Sequence, residues 1–300
     1  MMIASSTDSK TEPHFTFTGA TQVFAGHTVH QIKARINLPH AGVVAGDIGG
    51  WVETTDSLRD NAWIFDDACV YQGAQVTGDA IVRGNVAVFG HAHIGESAVV
   101  EGSGEIRDYA RVYGCAQVQG RGSVVDHSHV YGWATVSENA TVSEGAQIYG
   151  HAHVAGNAAI SGGAHVCGQS HIAGSATLSN GSVVCGHAVI TGEVAISGGA
   201  QVSATARIEH YDDILIINRT GLVEDTITVF RTDDQGSSNH VIAMGKWRGT
   251  IESLQFEISH PRHGSGERSD FEQDRLQAEV HALIPLLNTR IEQWRSRVLA

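Results

Sequence analysis

From Val52 to Ile208 every sixth residue is Val, Ile or Leu without exception, which makes 27 aliphatic positions at a fixed spacing. The series opens Val52, Leu58, Ile64, Val70, Val76, Val82. Two places before each, the residue is usually small, as at Ala62, Ala68, Ala74, Ala80 and Ala92. Two places after, Gly dominates, as at Gly78, Gly84, Gly90, Gly114 and Gly120. A short fixed period of this kind marks a repeat architecture and excludes a single globular core for the span.

Successive residues of a strand point to opposite faces. The small, aliphatic and Gly positions are therefore expected inside and the other three outside. A short strand and a bend every six residues predict a triangular coil of three hexads, or 18 residues. Coils paired as parallel strands about 4.8 Å apart build a prism about 40 Å tall. Each coil buries its neighbour's core, so the open ends need caps.

The flanks read differently. Residues 1–12 are expected to be disordered, 13–50 to form an N-terminal β cover, 51–209 the solenoid, and 210–300 an α+β unit ending in a helix. Within the last unit Ile214–Ile217, Thr226–Phe230 and His240–Met244 read as strands and Asp233–Gly236 as a turn. A short helix is expected at 250–258 and a loop at 260–268. Ser269-Asp270-Phe271-Glu272 is a capping-box signature for a final helix, which Pro285 should kink or split. The unit is expected to close the open strand edge and to assist oligomerisation.

Charge narrows the partners. The chain has 300 residues and a formal net charge of −13, from 19 basic and 32 acidic residues. No basic stripe appears, so neither nucleic acid nor an anionic membrane is expected as a partner. The first residues, Met1 to Asp8, lack the regions of a signal peptide, and no apolar run reaches membrane-spanning length. A soluble cytoplasmic protein is expected. Four scattered cysteines do not make a disulfide framework. Cys167 and Cys185, 18 apart, should stack in adjacent coils as free thiols.

The segment Gly46-Asp47-Ile48-Gly49-Gly50-Trp51-Val52-Glu53, then Leu58, then Asn61-Ala62-Trp63-Ile64-Phe65-Asp66 precedes recurring Ala-x-Val-x-Gly hexads. Over roughly residues 25–208 this pattern resembles the hexapeptide-repeat, left-handed β-helix proteins, and more closely the YdcK-like acyltransferases and prophage-borne relatives. The resemblance implies an all-β solenoid, a left-handed parallel β-helix of 18-residue triangular coils with a small C-terminal α+β cap. Left-handed coiling comes from the resemblance alone, since parallel crossovers are otherwise nearly always right-handed. It also implies a homotrimer with a site in the groove between subunits. There a His acts as general base while an acyl group passes from an acyl-coenzyme A such as acetyl-coenzyme A to a small hydroxyl or amine. No cofactor is expected to stay bound; the coenzyme A thioester would enter as co-substrate.

The period sorts outward residues onto three faces. One is bland, carrying residues such as Ser123, Thr141 and Thr177. A second stacks His91 and His93, then Tyr109, Arg111 and Tyr113, then His127, His129 and Tyr131, then Gln147, Tyr149 and His165. The third carries Cys115, Gln117, Trp133, His151, His153, His171 and His187. For acyl transfer, His127 and His129 are the catalytic candidates, because imidazole titrates near working pH. His151 and His153 are the second choice. His91, His93, Tyr109, Arg111, Tyr113, Tyr131 and Trp133 are the substrate-binding candidates, with Arg111 suited to an anionic group. The His-x-His pairs also have a surface-metal spacing, but only Asp108 and Asp126, at inward or bend positions, lie near as carboxylates, and no metal site is expected.

A second reading competes. Tyr, His and Arg also collect on a face that meets an oligomer or protein partner, which would make the chain a non-catalytic scaffold or binding protein. Active hexapeptide transferases break the coil with a long loop, whereas none interrupts Val52 to Ile208. No GxGxxG opens a helix and no nucleophile-elbow Ser is present.

Overall fold

The computed structural model describes residues 12–218, 226–233, 239–260 and 270–298, with the side chains of 270–276 and 297–298 left aside. The stretches expected as N-terminal disorder, as the turn at 233–236 and as the loop at 260–268 lie outside the described residues but for one residue each, as does Ser269 of the capping box.

Each hexad yields a two-residue strand followed by a corner, as in His93–Ile94, Arg111–Val112 and His129–Val130. Strands 18 residues apart pair in parallel, with Val112 opposite Ile94 on one side and Val130 on the other. Three parallel sheets result, and about nine coils stack into a solenoid. The aliphatic residues from Val52 to Ile208 and the small residues before them are almost all buried in one continuous core. We call the sheet with Ser123–Val124 the serine face, that with His129–Val130 the tyrosine face, and that with His153–Val154 the histidine face.

The third position of the repeat does not point inward as expected. It is the corner itself, and from Asp60 to Ala204 every such residue is left-handed, with φ between +51° at Asn180 and +111° at Gly102. Gly occupies that region at no steric cost. Where Gly is replaced, the substitute is mostly Asp, Glu, Asn or Gln, whose polar side chain finds work there. Asp60 Oδ2 accepts from the Gly78 amide at 2.9 Å, Asp126 Oδ2 from Glu144 at 3.0 Å and Glu138 Oε2 from Gly156 at 2.9 Å. An acidic corner thus caps the corner one coil on.

At the N-terminal end, β1 (Phe15–Phe24) and β2 (His27–Ala34) form a hairpin that extends the serine-face sheet beyond Ile48–Val52. Ala25 and Gly26, both at positive φ, make its two-residue turn in the type I′ manner. Phe15, Ile32, Leu38, Val43 and Trp63 join the core and close the base.

At the other end, strands Ile214–Ile217, Ile227–Arg231, His240–Met244 and Trp247–Gly249 make an antiparallel sheet. Phe230 and Ala243 pack on the solenoid core, while Val229 and Ile242 join Leu254, Leu287 and Trp294 under α1 (Ile251–Ser259) and α2 (Asp270–Val298). The strand at Trp247–Gly249 was not legible in the sequence. Nor does Pro285 split α2, which runs through it as one helix. Pro285 and His281, whose carbonyl loses its donor, both lie on the exposed side, so water replaces the missing bond. No helix among the described residues is long and apolar enough to cross a membrane.

Ile148 sits at 0% exposure in the central ladder. Ile148→Ala should therefore cost about 2–5 kcal/mol in chemical unfolding, while Thr141→Ser, at an exposed position of the serine face, should stay within about 0.5 kcal/mol.

Candidate functional site

The coil geometry places His93, Arg111 and His129 directly over one another on the tyrosine face. Beside them Tyr113, Tyr131 and Tyr149 form a column of parallel rings, with centroids 5.0 and 5.1 Å apart and interplanar angles of 1° and 7°. Strand spacing is close to ring-stacking distance, so identical residues 18 apart stack without adjustment. The Tyr113 ring also meets His129 edge-on at 6.2 Å, and the Tyr131 hydroxyl donates to Gln147 Oε1 at 3.5 Å.

A second column runs along the corner between the serine and tyrosine faces. Tyr109 lies between His91 and His127, with centroids at 5.1 and 4.8 Å. The column stops above His127 for a backbone reason. Below it, the residue after the corner donates to the coil above, as from the Tyr109 amide to Asp126 O at 2.8 Å. Above it the direction reverses, and Gly163 donates to Glu144 O in the coil beneath at 3.0 Å. Two left-handed residues in succession are then required, and Gly145, Gly163, Gly181 and Gly199 supply the second. A side chain at that second position would be strained, so no ring continues the column above His127.

His151 and His153, the second-choice pair, do not join this group. They lie on the histidine face, past the Gly132–Gly150 corner. Trp133 stacks on His151 at 5.1 Å and 5°, and His153 Nδ1 meets His171 Nδ1 at 2.9 Å. The candidate residues thus form two adjoining surfaces separated by a corner. Among the described residues no group of three or more His, Cys, Asp or Glu side chains converges as metal ligands.

Burial first, and then the Arg111 guanidinium, hold the pKa of His129 and of His93 below the ordinary imidazole value of 6.5. His153 is lowered by burial and then by His171. Burial likewise raises the Tyr113 and Tyr131 hydroxyls. At neutral pH the tyrosine face therefore presents neutral His93 and His129 beside one fixed cation. No carboxylate forms an ion pair with Arg111 among the described residues.

The cysteines require a correction. Cys167 and Cys185, expected as free thiols, are joined in a disulfide between adjacent coils of the tyrosine face. The register brings their Cα atoms to 4.6 Å, inside the range a disulfide spans. Cys69 is buried, its thiol pushed up to about 12 by desolvation, and Cys115 is exposed. The corner carboxylates and the His171 partner of His153 were also missed as interacting groups, although the alternation of Gly with acidic residues two places after each aliphatic was a usable signal for the former.

Fold and surface together define a parallel β-solenoid of triangular 18-residue coils carrying an aromatic and histidine-rich face. No family model matches the chain, and no curated protein matches it.

Two measurements follow. The unfolded chain binds protons at His93, His129 and His153 that the folded chain does not, so the stability these groups confer above about pH 6.5 is lost as pH falls through the lowered folded values. The thermal midpoint should drop from about pH 7 to about pH 5, and drop less in His93→Gln/His129→Gln. Thiol titration of air-purified protein should find Cys115 alone in the native state, Cys69 as well after unfolding, and all four only after reduction.

Proposed function

We propose that this chain is a β-solenoid scaffold that assembles side by side as a trimer, the tyrosine face of one copy against the histidine face of the next. The reading is carried by exposure. Within the solenoid the exposed large apolar side chains are Tyr109 at 52% and Trp133 at 62%, one at each border of the tyrosine face. Tyr, Trp and Arg are the residue types that anchor protein interfaces, and Arg111 stands between these two. The strand positions of this face from His91 to Cys167 carry no Asp or Glu, so copies of a chain with net charge −13 approach there against the least repulsion. The corner shared by the two faces is Gly114, Gly132, Gly150 and Gly168, bare enough for close approach. A head-to-tail contact of this kind closes into a ring where the rotation between copies is a third of a turn, as the triangular cross-section favours.

A second reading, acyl transfer of the hexapeptide-repeat class, is favoured by His129. Its imidazole is half-buried, neutral and in register with Arg111. In the groove between copies it would take the proton of a small hydroxyl or amine as that atom attacks the thioester carbonyl of acetyl-coenzyme A, with the coenzyme thiolate leaving and regaining a proton. Arg111 would hold the anionic part of the donor. We place the protein in the cytoplasm and expect neither nucleic acid nor membrane as a partner.

Light scattering of the full chain should give a mass that is a multiple of three times 31.8 kDa, falling threefold in Arg111→Glu/Trp133→Ala; a monomeric wild type would end the proposal. Thermal shift with acetyl-coenzyme A and with coenzyme A separates the two readings. Stabilisation that disappears in His129→Ala supports transfer, and a flat response to both leaves the scaffold.

A further inference from the structure

We propose that a second copy of this chain pairs with the free edge of β1, joining two solenoids base to base by an antiparallel β1–β1 contact. The serine-face sheet begins with β1, whose ladder partner is β2 alone among the described residues. The hairpin register shows which groups are left over. In a hairpin closed by a two-residue turn, the residues flanking the turn exchange hydrogen bonds, and bonded and non-bonded pairs then alternate. Phe24 opposite His27 and Gln22 opposite Val29 are the bonded pairs here. Thr21 and Val23 therefore direct their amides and carbonyls to the outer side, where an added strand would take them.

Proteins ordinarily blunt such an edge with a charge, a proline, a very short strand or a bulge. β1 runs ten residues, Phe15–Phe24, and contains no ionisable side chain and no proline. Its one irregularity is the register shift between Phe17 and Thr21, which leaves Thr21–Phe24 regular. Val23 is 71% exposed, the most of any large apolar residue on the hairpin. Of the eleven exposed large apolar residues among those described, six fall between Phe17 and Ile48, so the apolar surface of this protein is concentrated at the base.

Charge selects the occupant. Copies of a chain at −13 repel one another over most of their surface. An antiparallel pair about a two-fold axis sets the strand beside itself, so that a charge on β1 would face its own kind; there is none. The contact is isologous and closed, and it does not use the tyrosine face.

The test is the mass of the full chain by light scattering, in wild type, in Thr21→Lys/Val23→Lys and in Val23→Pro, each with its circular dichroism and thermal midpoint. The wild-type mass should be an even multiple of 31.8 kDa, and both variants should halve it with spectrum and midpoint unchanged. Val23→Pro removes an amide that β2 does not use, so it serves where the lysine variant fails to fold. The twofold fall is distinct from the threefold fall expected of Arg111→Glu/Trp133→Ala, so each contact can fail without the other. An odd multiple in wild type, or a folded variant that keeps the wild-type mass, overturns the pairing.

Discussion

The left-handed corner is the constraint on which the rest depends. Because the residue two places after each aliphatic has positive φ from Asp60 to Ala204, the chain turns at the same point in every hexad and returns to the same edge after 18 residues. The strands between corners are two residues long in most repeats, too short to hold a register on their own. Corner and aliphatic ladder fix it together. An insertion of one residue would send every later outward side chain inward, and the span from Val52 to Ile208 has none.

That register also explains why much of the tyrosine face is orderly without being evidence of chemistry. Tyr113, Tyr131 and Tyr149 are stacked because the coil puts them about a ring thickness and a half apart, and each ring loses contact with water to its neighbours. Repetition of an aromatic at one position is favourable in any solenoid of this pitch. Trp133, Tyr109 and Arg111 are different. The two rings remain exposed despite one or two stacking neighbours, and the guanidinium lies at the centre of the face, adding to burial in lowering the pKa of its imidazole neighbours. The coil needs none of these three.

The sequence made legible what a period can carry. The aliphatic ladder, the three faces and the column of His93, Arg111 and His129 all follow from counting by six and by eighteen, and they stand where counting puts them. Features that depend on backbone direction did not follow. Alternation along a strand puts the corner inside, because it cannot anticipate a left-handed residue. The reversal of hydrogen bonding between His127 and Gly163 is visible in sequence only as glycine after the corner at 145, 163, 181 and 199. Cys167 and Cys185 were placed correctly one above the other, yet composition argued for thiols where a Cα separation of 4.6 Å allows a bond. The rule against a helical proline counts the bond that Pro285 removes and not that His281 faces water.

The two ends of the prism are closed by different means, and the difference has consequences for assembly. At the C-terminal end the core is covered by a sheet whose Phe230 and Ala243 face it and whose outer side is itself covered by helices. Backbone groups of the last coil find partners there: the Gln201 amide donates to Thr228 Oγ1 at 3.1 Å, and the Thr205 carbonyl accepts from the Asp233 amide at 3.0 Å. At the N-terminal end the cover is a hairpin in the plane of one sheet. A hairpin satisfies the strand it lies against and presents a new edge of its own, so it moves the unpaired backbone outward by two strands without removing it. A helical cap ends a solenoid. A hairpin cap extends one sheet: Phe15, Ile32, Leu38, Val43 and Trp63 close the core at this end, while the backbone of the outer strand keeps an edge.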